Sequence, residues 1–170
     1  MNPAYFGDSY DLVKRFFCRE LSVLGYLVEV DAMLTGSWSG TEDSFYRLIG
    51  APAHGKTPTE GGPRALLVDP DTGVKHSASL RHVSFARIAE HTKNFHLVFS
   101  FDQSFSRQGK ASVLMREKLA TLKELGCAAM YYDSHARFVF ASADERPIHE
   151  LRAHLVSLGL PQRRLVESDA

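Results

Sequence analysis

Cysteine is scarce in this chain. Its two cysteines, Cys18 and Cys127, are too few for a disulfide framework and too far apart in sequence for a metal-ligand spacing, so both read as reduced core thiols. An excess of charge is missing too. Twenty Lys and Arg face twenty Asp and Glu, so no global field draws the chain to nucleic acid, to an anionic membrane or to a basic partner. No apolar run approaches the ~20 residues of a membrane span, and charges within the first dozen residues do not suit a signal peptide, so the expectation is a cytoplasmic protein with no membrane partner. There is no Gly-x-Ser-x-Gly nucleophile signature. Neither Gly36 and Gly40 nor Gly61-Gly62 is followed by the Lys-Ser/Thr of a phosphate loop. Histidine is not scarce, at eight, but His149 and His154 alone share a predicted helix, and a spacing of five does not place them on one face.

What is present is a core for one domain. With 170 residues, 44% of them hydrophobic, the chain matches a single α/β unit over 1–170. "DSYDLVKRFFCRELSVLG" sets Leu12, Val13, Phe16, Phe17, Leu21 and Leu24 at helical spacing between an N-cap, Asp8, and a stop, Gly25. "YLVEVDAML" predicts a strand over 26–34, and "SFYRLIG" a short helix at most. "APAHGKTPTEGGPR", with three prolines and three glycines, predicts a flexible loop near 50–64, placed where it could close over a neighbouring site. Strand and helix then alternate: "RALLVD", "SFARIAEHT", "FHLVFSFD", "GKASVLMREKLATLKELG". The strands "CAAMYYD" and "RFVFASA" are joined too tightly for a crossover and therefore form a hairpin, and "RPIHELRAHLVSLGLP" is the last helix. This order predicts a mostly parallel sheet with helices on both faces and a C-terminal antiparallel hairpin.

Ligands of open α/β sheets bind beyond the carboxyl ends of the strands. Three successive strands here end in an acid: Asp69, with Asp71 two residues on; Asp102, followed by Gln103; and Asp133, followed by Ser134 and His135. Parallel neighbours would bring these ends to one rim. Lys75, His76, Arg81, Arg107, Lys110, His135 and Arg137 lie just beyond them, and such mixed signs suit a phosphate-bearing ligand with a hard divalent ion, Mg²⁺ or Mn²⁺. Pro70 stiffens the turn between Asp69 and Asp71, and Gly73 allows positive φ or close approach. Turn and cap formation accounts for any one of these aspartates alone. Trp38, Phe45 and Tyr46 form an aromatic patch whose burial statistics favour core sealing over base stacking. Arg146, His149, Arg152, Arg163 and Arg164 make the C-terminal region basic, as a solvated helix face or a nucleic-acid contact.

"LLVDPDTG" resembles, by position, the Asp-Pro-Pro-aromatic motif of Rossmann-fold adenine-N6 methyltransferases, and the strands that follow, ending in "CAAMYYDSHARFVFASA", resemble the closing half of that fold. "YFGDSYDLVKRFF" is similar to the N-terminal helix of the ribosomal-RNA members, where a Gly-polar-x-x-Asp-x-x-Lys pattern lies near the active site. The resemblance covers about half the chain. It implies a Rossmann-like sheet, S-adenosylmethionine as cofactor with Gly7, Asp8 and Asp11 beside it, Lys14 close by, and Asp69 accepting a hydrogen bond from the target amine of RNA or DNA. The family's glycine-rich turn has only a poor counterpart in "VEVDAMLTGSWSG". Asp71 and Thr72 replace the second proline and the aromatic, a charge in place of a stacking ring.

Three readings follow. In the first, an enzyme acts on a nucleotide or nucleic acid by metal-dependent phosphodiester hydrolysis. Asp69, Asp71 and Asp102 hold the metal, Gln103 or His135 orients water, and Arg107 or Lys14 neutralises developing phosphate charge. In the second, the chain is methyltransferase-like. In the third, it is a non-catalytic binding module of the same fold. The extra carboxylate of Asp71 tips the reading toward cations and the first.

Overall fold

The structure, a computed structural model, describes residues 2–56, 61–105 and 110–167. Among these residues, five α-helices flank a six-stranded mixed sheet: α1 (Ser9–Val23), α2 (Glu42–Ile49), α3 (Phe85–His91), α4 (Ala111–Glu124) and α5 (Glu145–Ser157). The sheet order is β1 (Leu27–Asp31), β2 (Arg64–Val68), β5 (Leu97–Phe101), β7 (Phe138–Ser142), β6 (Ala128–Tyr132) and β8 (Leu165–Glu167). A small parallel pair, β3 (Gly73–Lys75) with β4 (His82–Ser84), lies between β2 and α3 in the chain.

α1 begins and ends where its sequence dictates. Asp8 accepts hydrogen bonds from the amides of Tyr10 and Asp11, and Gly25 takes the left-handed φ of 88° just beyond the last turn. β2 and β5 read as unbroken apolar runs because both their faces are covered: Ala65, Leu66, Leu67 and Val68 are all fully buried. Odd-numbered residues of these two strands (Ala65, Leu67, Leu97, Phe99, Phe101) pack with α1, α2 and α5. Even-numbered ones (Leu66, Val68, Val98) pack with α3 and α4.

The expected sheet needs one correction. β1, β2 and β5 are parallel neighbours, but the three remaining pairings, β5 with β7, β7 with β6 and β6 with β8, are antiparallel. The α4 crossover carries the chain one place beyond β5, and the tight return after β6 drops β7 into the gap. The hairpin therefore sits inside the sheet, and β8, too short to be read from the sequence, forms the edge. Antiparallel to β7, β6 again runs in the direction of β1, β2 and β5. Four strands thus deliver their carboxyl ends to one rim.

No helix of the described residues is long and apolar enough to cross a membrane. The described parts of 50–64 run along β1: Pro52 and His54 bond the backbone of Val30 near its carboxyl end, and Gly55 donates to Glu29. Pro63 accepts a hydrogen bond from the amide of Leu27, and Gly62 sits against the carbonyl of Gly25, both where β1 and β2 begin. Residues 57–60 of that loop are outside the described residues.

Candidate functional site

Each of the four strands ends in aspartate: Asp31, Asp69, Asp102 and Asp133. They do not converge. Side chains alternate between faces along a strand, so a shift of one residue moves a side chain to the opposite side. β2 pairs with β5 through Leu67↔Phe99 and Val68↔Ser100, a register that sets Asp69 level with Phe101 and Asp102 level with Pro70. Asp69 therefore faces α1, while Asp102 faces α4 on the other side. Asp133 is separated from Asp102 by β7; it pairs with Arg137 at 3.3 Å and its carbonyl accepts from Arg164. Asp31 is bound by Arg87 of α3 at 2.6 Å.

On the α1 face, Lys14 donates to Asp11 and to Asp69, both at 2.8 Å, and all three side chains are buried. The ammonium also lies 5.4 Å from the Phe101 ring centroid. Burial opposes the charge on Lys14, but its two carboxylates outweigh that and hold its pKa above the ordinary value. Burial raises the pKa of Asp69, and Lys14 offsets this only in part, because one ammonium serves two acids. Asp11 also accepts from the amide of Gly7 at 2.8 Å, tying the approach of the chain to the first turn of α1.

Asp102 occupies a different setting on the far face. One oxygen accepts from the amides of Val74 and Ser104 and from the Ser104 hydroxyl, and the other from Lys118 and from the Tyr131 hydroxyl. Burial, offset in part by Asp102, lowers the pKa of Lys118, whereas burial and the Asp102 charge together raise that of Tyr131. Gly73 is required here. A Cβ on it would stand 2.1 Å from Asp102 Oδ1 and 2.8 Å from Asp102 Cα.

The expected metal trio of Asp69, Asp71 and Asp102 is therefore not assembled. Asp102 is spent on the opposite face, and among the described residues no group of three or more His, Cys, Asp or Glu side chains is placed to hold a metal ion. Arg107, expected to face phosphate, lies outside the described residues.

What the rim does carry is a cavity of about 290 Å³ on the α1 side. Tyr5, Tyr10, Phe101 and Pro70 supply its apolar walls; Asp8, Asp11, Lys14, Asp71, Thr72, Arg81 and Gln103 supply its polar ones. Helix α1 contributes Asp8, Tyr10, Asp11 and Lys14 from its first turns, and the turn after β2 contributes Pro70–Thr72. Of the residues singled out from sequence, Asp8, Asp11, Lys14, Asp71 and Gln103 meet here, with Gly7 behind Asp11 and Asp69 behind Lys14. Asp69 itself is fully buried and not part of the wall, so it does not offer itself to a target amine.

His135 stands one layer back. Its Nε2 is 2.9 Å from the Tyr10 hydroxyl, its ring stacks on Tyr10 at 5.6 Å, and its carbonyl accepts from the Gln103 amide. It supports the wall and does not line it. Asp71 Oδ2 accepts from Thr35 at 2.6 Å and lies 3.8 Å from Arg81 Nε.

Sequence reasoning missed Tyr5, Tyr10 and Phe101. Tyr10 and Phe101 were read as apolar or helical positions, and nothing local marks a ring that faces a cavity instead of a core. Trp38 and Phe45, by contrast, seal the core, at 4% and 0% exposure. The basic C-terminal residues are largely answered: Arg146 by Glu150, Arg152 by Glu167 and Arg164 by the Asp133 carbonyl.

No protein-family model, no curated protein and no solved structure matches this chain.

Proposed function

We propose that this chain is a Rossmann-like binding module whose rim cavity holds the base of a nucleotide or of a nucleic-acid strand. One observation carries the reading: three aromatic rings, those of Tyr5, Tyr10 and Phe101, line a single cavity of about 290 Å³, the scale of one nucleoside, together with the carboxylates of Asp8 and Asp71. Rings offer a planar base a stacking surface. Ionised carboxylates only accept hydrogen bonds, so they select ring and exocyclic N–H groups. Lys14 is already shared between Asp11 and Asp69, which leaves the wall acidic and places a phosphate outward, toward Arg81, whose side chain is 68% exposed.

The same geometry weighs against the two catalytic readings. Phosphodiester hydrolysis through Asp69, Asp71 and Asp102 needs carboxylates that the strand alternation sends to opposite faces. Methyl transfer through Asp69 needs an acceptor that Lys14 already occupies. The α/β layering and the β6–β7 hairpin support the resemblance to the closing half of the methyltransferase fold as architecture, without its chemistry.

Calorimetry on the full chain tests the proposal. Adenosine and adenosine monophosphate should bind with similar affinity, with or without Mg²⁺, and Tyr10→Ala should weaken both by about tenfold, roughly 1.4 kcal/mol. Absence of binding by either, or binding that requires Mg²⁺, overturns it. A second reading rests on the acidic wall, which also suits a sulfonium. S-adenosylmethionine binding about tenfold tighter than its neutral thioether counterpart, S-adenosylhomocysteine, would favour that ligand.

A further inference from the structure

Residues 2–7 contribute Asn2 and Tyr5 to the cavity, and the same two residues line a second hollow of about 420 Å³ beside it, with Thr35, Gly36, Asp71 and Arg81. Yet this segment belongs to neither the sheet nor a long helix. Its backbone bonds are local: Tyr5 to Asn2, Phe6 to Pro3 and Asp8 to Tyr5. Residues 4–7 are exposed, Tyr5 at 63% and Phe6 at 38%.

Among the described residues, Phe6 and Gly7 anchor its far end. Phe6 sets its ring edge-on to Trp38 at 5.9 Å and to Phe45 at 6.5 Å, and Gly7, with φ at +82° and its amide on Asp11, turns the chain into α1. A segment with few buried apolar contacts and only local hydrogen bonds belongs to the low-stability end of a fold.

From this we infer that residues 2–7 form a strap, hinged at Gly7 and latched by Phe6 on Trp38, which opens to admit the ligand and closes Tyr5 over it. The inference rests on the proposed base-binding reading. Closure would set the Tyr5 ring against a ligand in the cavity that Tyr10 and Phe101 also line, so that the site is completed only when the strap is down. Trp38 is the one tryptophan in the chain, so its emission reports the latch directly.

The test combines amide exchange and Trp38 fluorescence on the full chain, with adenosine as probe and calorimetry alongside. Saturating adenosine should slow exchange at Tyr5, Phe6 and Asp8 by about tenfold or more while β2 and β5 stay unchanged, and should shift Trp38 emission. Phe6→Ala should abolish the emission response and speed adenosine release by about tenfold. Gly7→Ala meets no neighbouring atom within 4 Å, so it acts through φ alone and should slow association. If calorimetry shows adenosine bound while strap exchange and Trp38 emission stay as in the free protein, the segment is a fixed wall and the strap is overturned, with the base-binding reading intact. If adenosine does not bind at all, the base-binding reading falls and the closure falls with it.

Discussion

Asp69 and Asp102 end adjacent parallel strands, are equally buried, and are each held by a lysine from the helix on their own face. They differ in how that lysine is shared. Lys118 also binds the Val74 carbonyl and the Ser104 hydroxyl, and Asp102 in turn accepts from Val74, Ser104, Lys118 and Tyr131, so both oxygens of Asp102 are held. Lys14 instead divides its charge between Asp69 and Asp11, and both it and Asp11 stand in the cavity wall. A buried strand-end acid is thus not by itself a functional mark. What distinguishes the two is how the answering cation is divided: Lys118 serves one acid, whereas Lys14 serves two, on the face where Tyr10 and Phe101 line a cavity.

The far-face cluster around Asp102, a structural strut, breaks most easily at Gly73. Gly73→Ala would drive a Cβ into Asp102 and, at 2.9 Å, the Gln103 amide, at a φ of +136° that L-residues avoid, with backbone atoms that have nowhere to retreat. The expected loss is about 4 kcal/mol or more, read by urea denaturation. Asp102→Ala follows. It strands Lys118, Tyr131 and two amides in a buried space and should cost about 3–5 kcal/mol. If either variant melts like the parent, the far-face cluster is not a strut.

The site side of the comparison is sharpened by Lys14→Met, which keeps the bulk and leaves Asp11 and Asp69 buried without their cation, again about 3–5 kcal/mol at neutral pH. Here the pH dependence separates the two aspartates. Burial already raises the pKa of Asp69, so its folded form binds a proton more readily than the unfolded chain. That contribution is complete below the unfolded value, about 4, and is lost as pH rises through the raised one. Removing Lys14 raises the folded value further. The stability deficit of Lys14→Met should therefore be smaller at pH 5 than at pH 8, as paired denaturation curves would show. A deficit that does not change with pH would mean that Asp69 is not the uncompensated acid.

This contrast also shows how far the sequence could be read. The order of the longer helices and strands, the caps of α1 and the β6–β7 hairpin were legible, because each rests on local chemistry: an Asp before an amphipathic run, a Gly after it, a connection too short to cross; the three-residue strands β3, β4 and β8 were not. The insertion of β7 between β5 and β6 was not, since nothing local records which strand a hairpin returns to. Asp8, Asp11, Lys14, Asp71 and Gln103, singled out by turn composition and by family pattern, line one cavity. Asp102 was drawn there wrongly. "VFSFD" reads like "LLVD" as a string, and the single residue of register that sends its acid to the other face exists only once β2 and β5 are paired. Asp31 was missed because the strand was read on to Leu34, past the residue where pairing stops.

The gentlest change tests the cavity without touching either buried cluster. Asp71 is held by the Thr35 hydroxyl and, at 3.8 Å, by Arg81. Asp71→Asn keeps the shape, lets the amide oxygen accept from Thr35, and removes one charge from the wall. The Asp71 side chain is only 7% exposed, and stability should fall by about 1 kcal/mol as the charge is lost while the Thr35 bond is kept. Binding should respond more strongly, because an amide turned toward the ligand presents donors where an N–H group of the base requires an acceptor; a loss of about tenfold for adenosine is expected in calorimetry. An Asp71→Asn variant that binds adenosine as the parent does would remove Asp71 from the recognition wall and leave Asp8, at the start of α1, as the acid that reads the base.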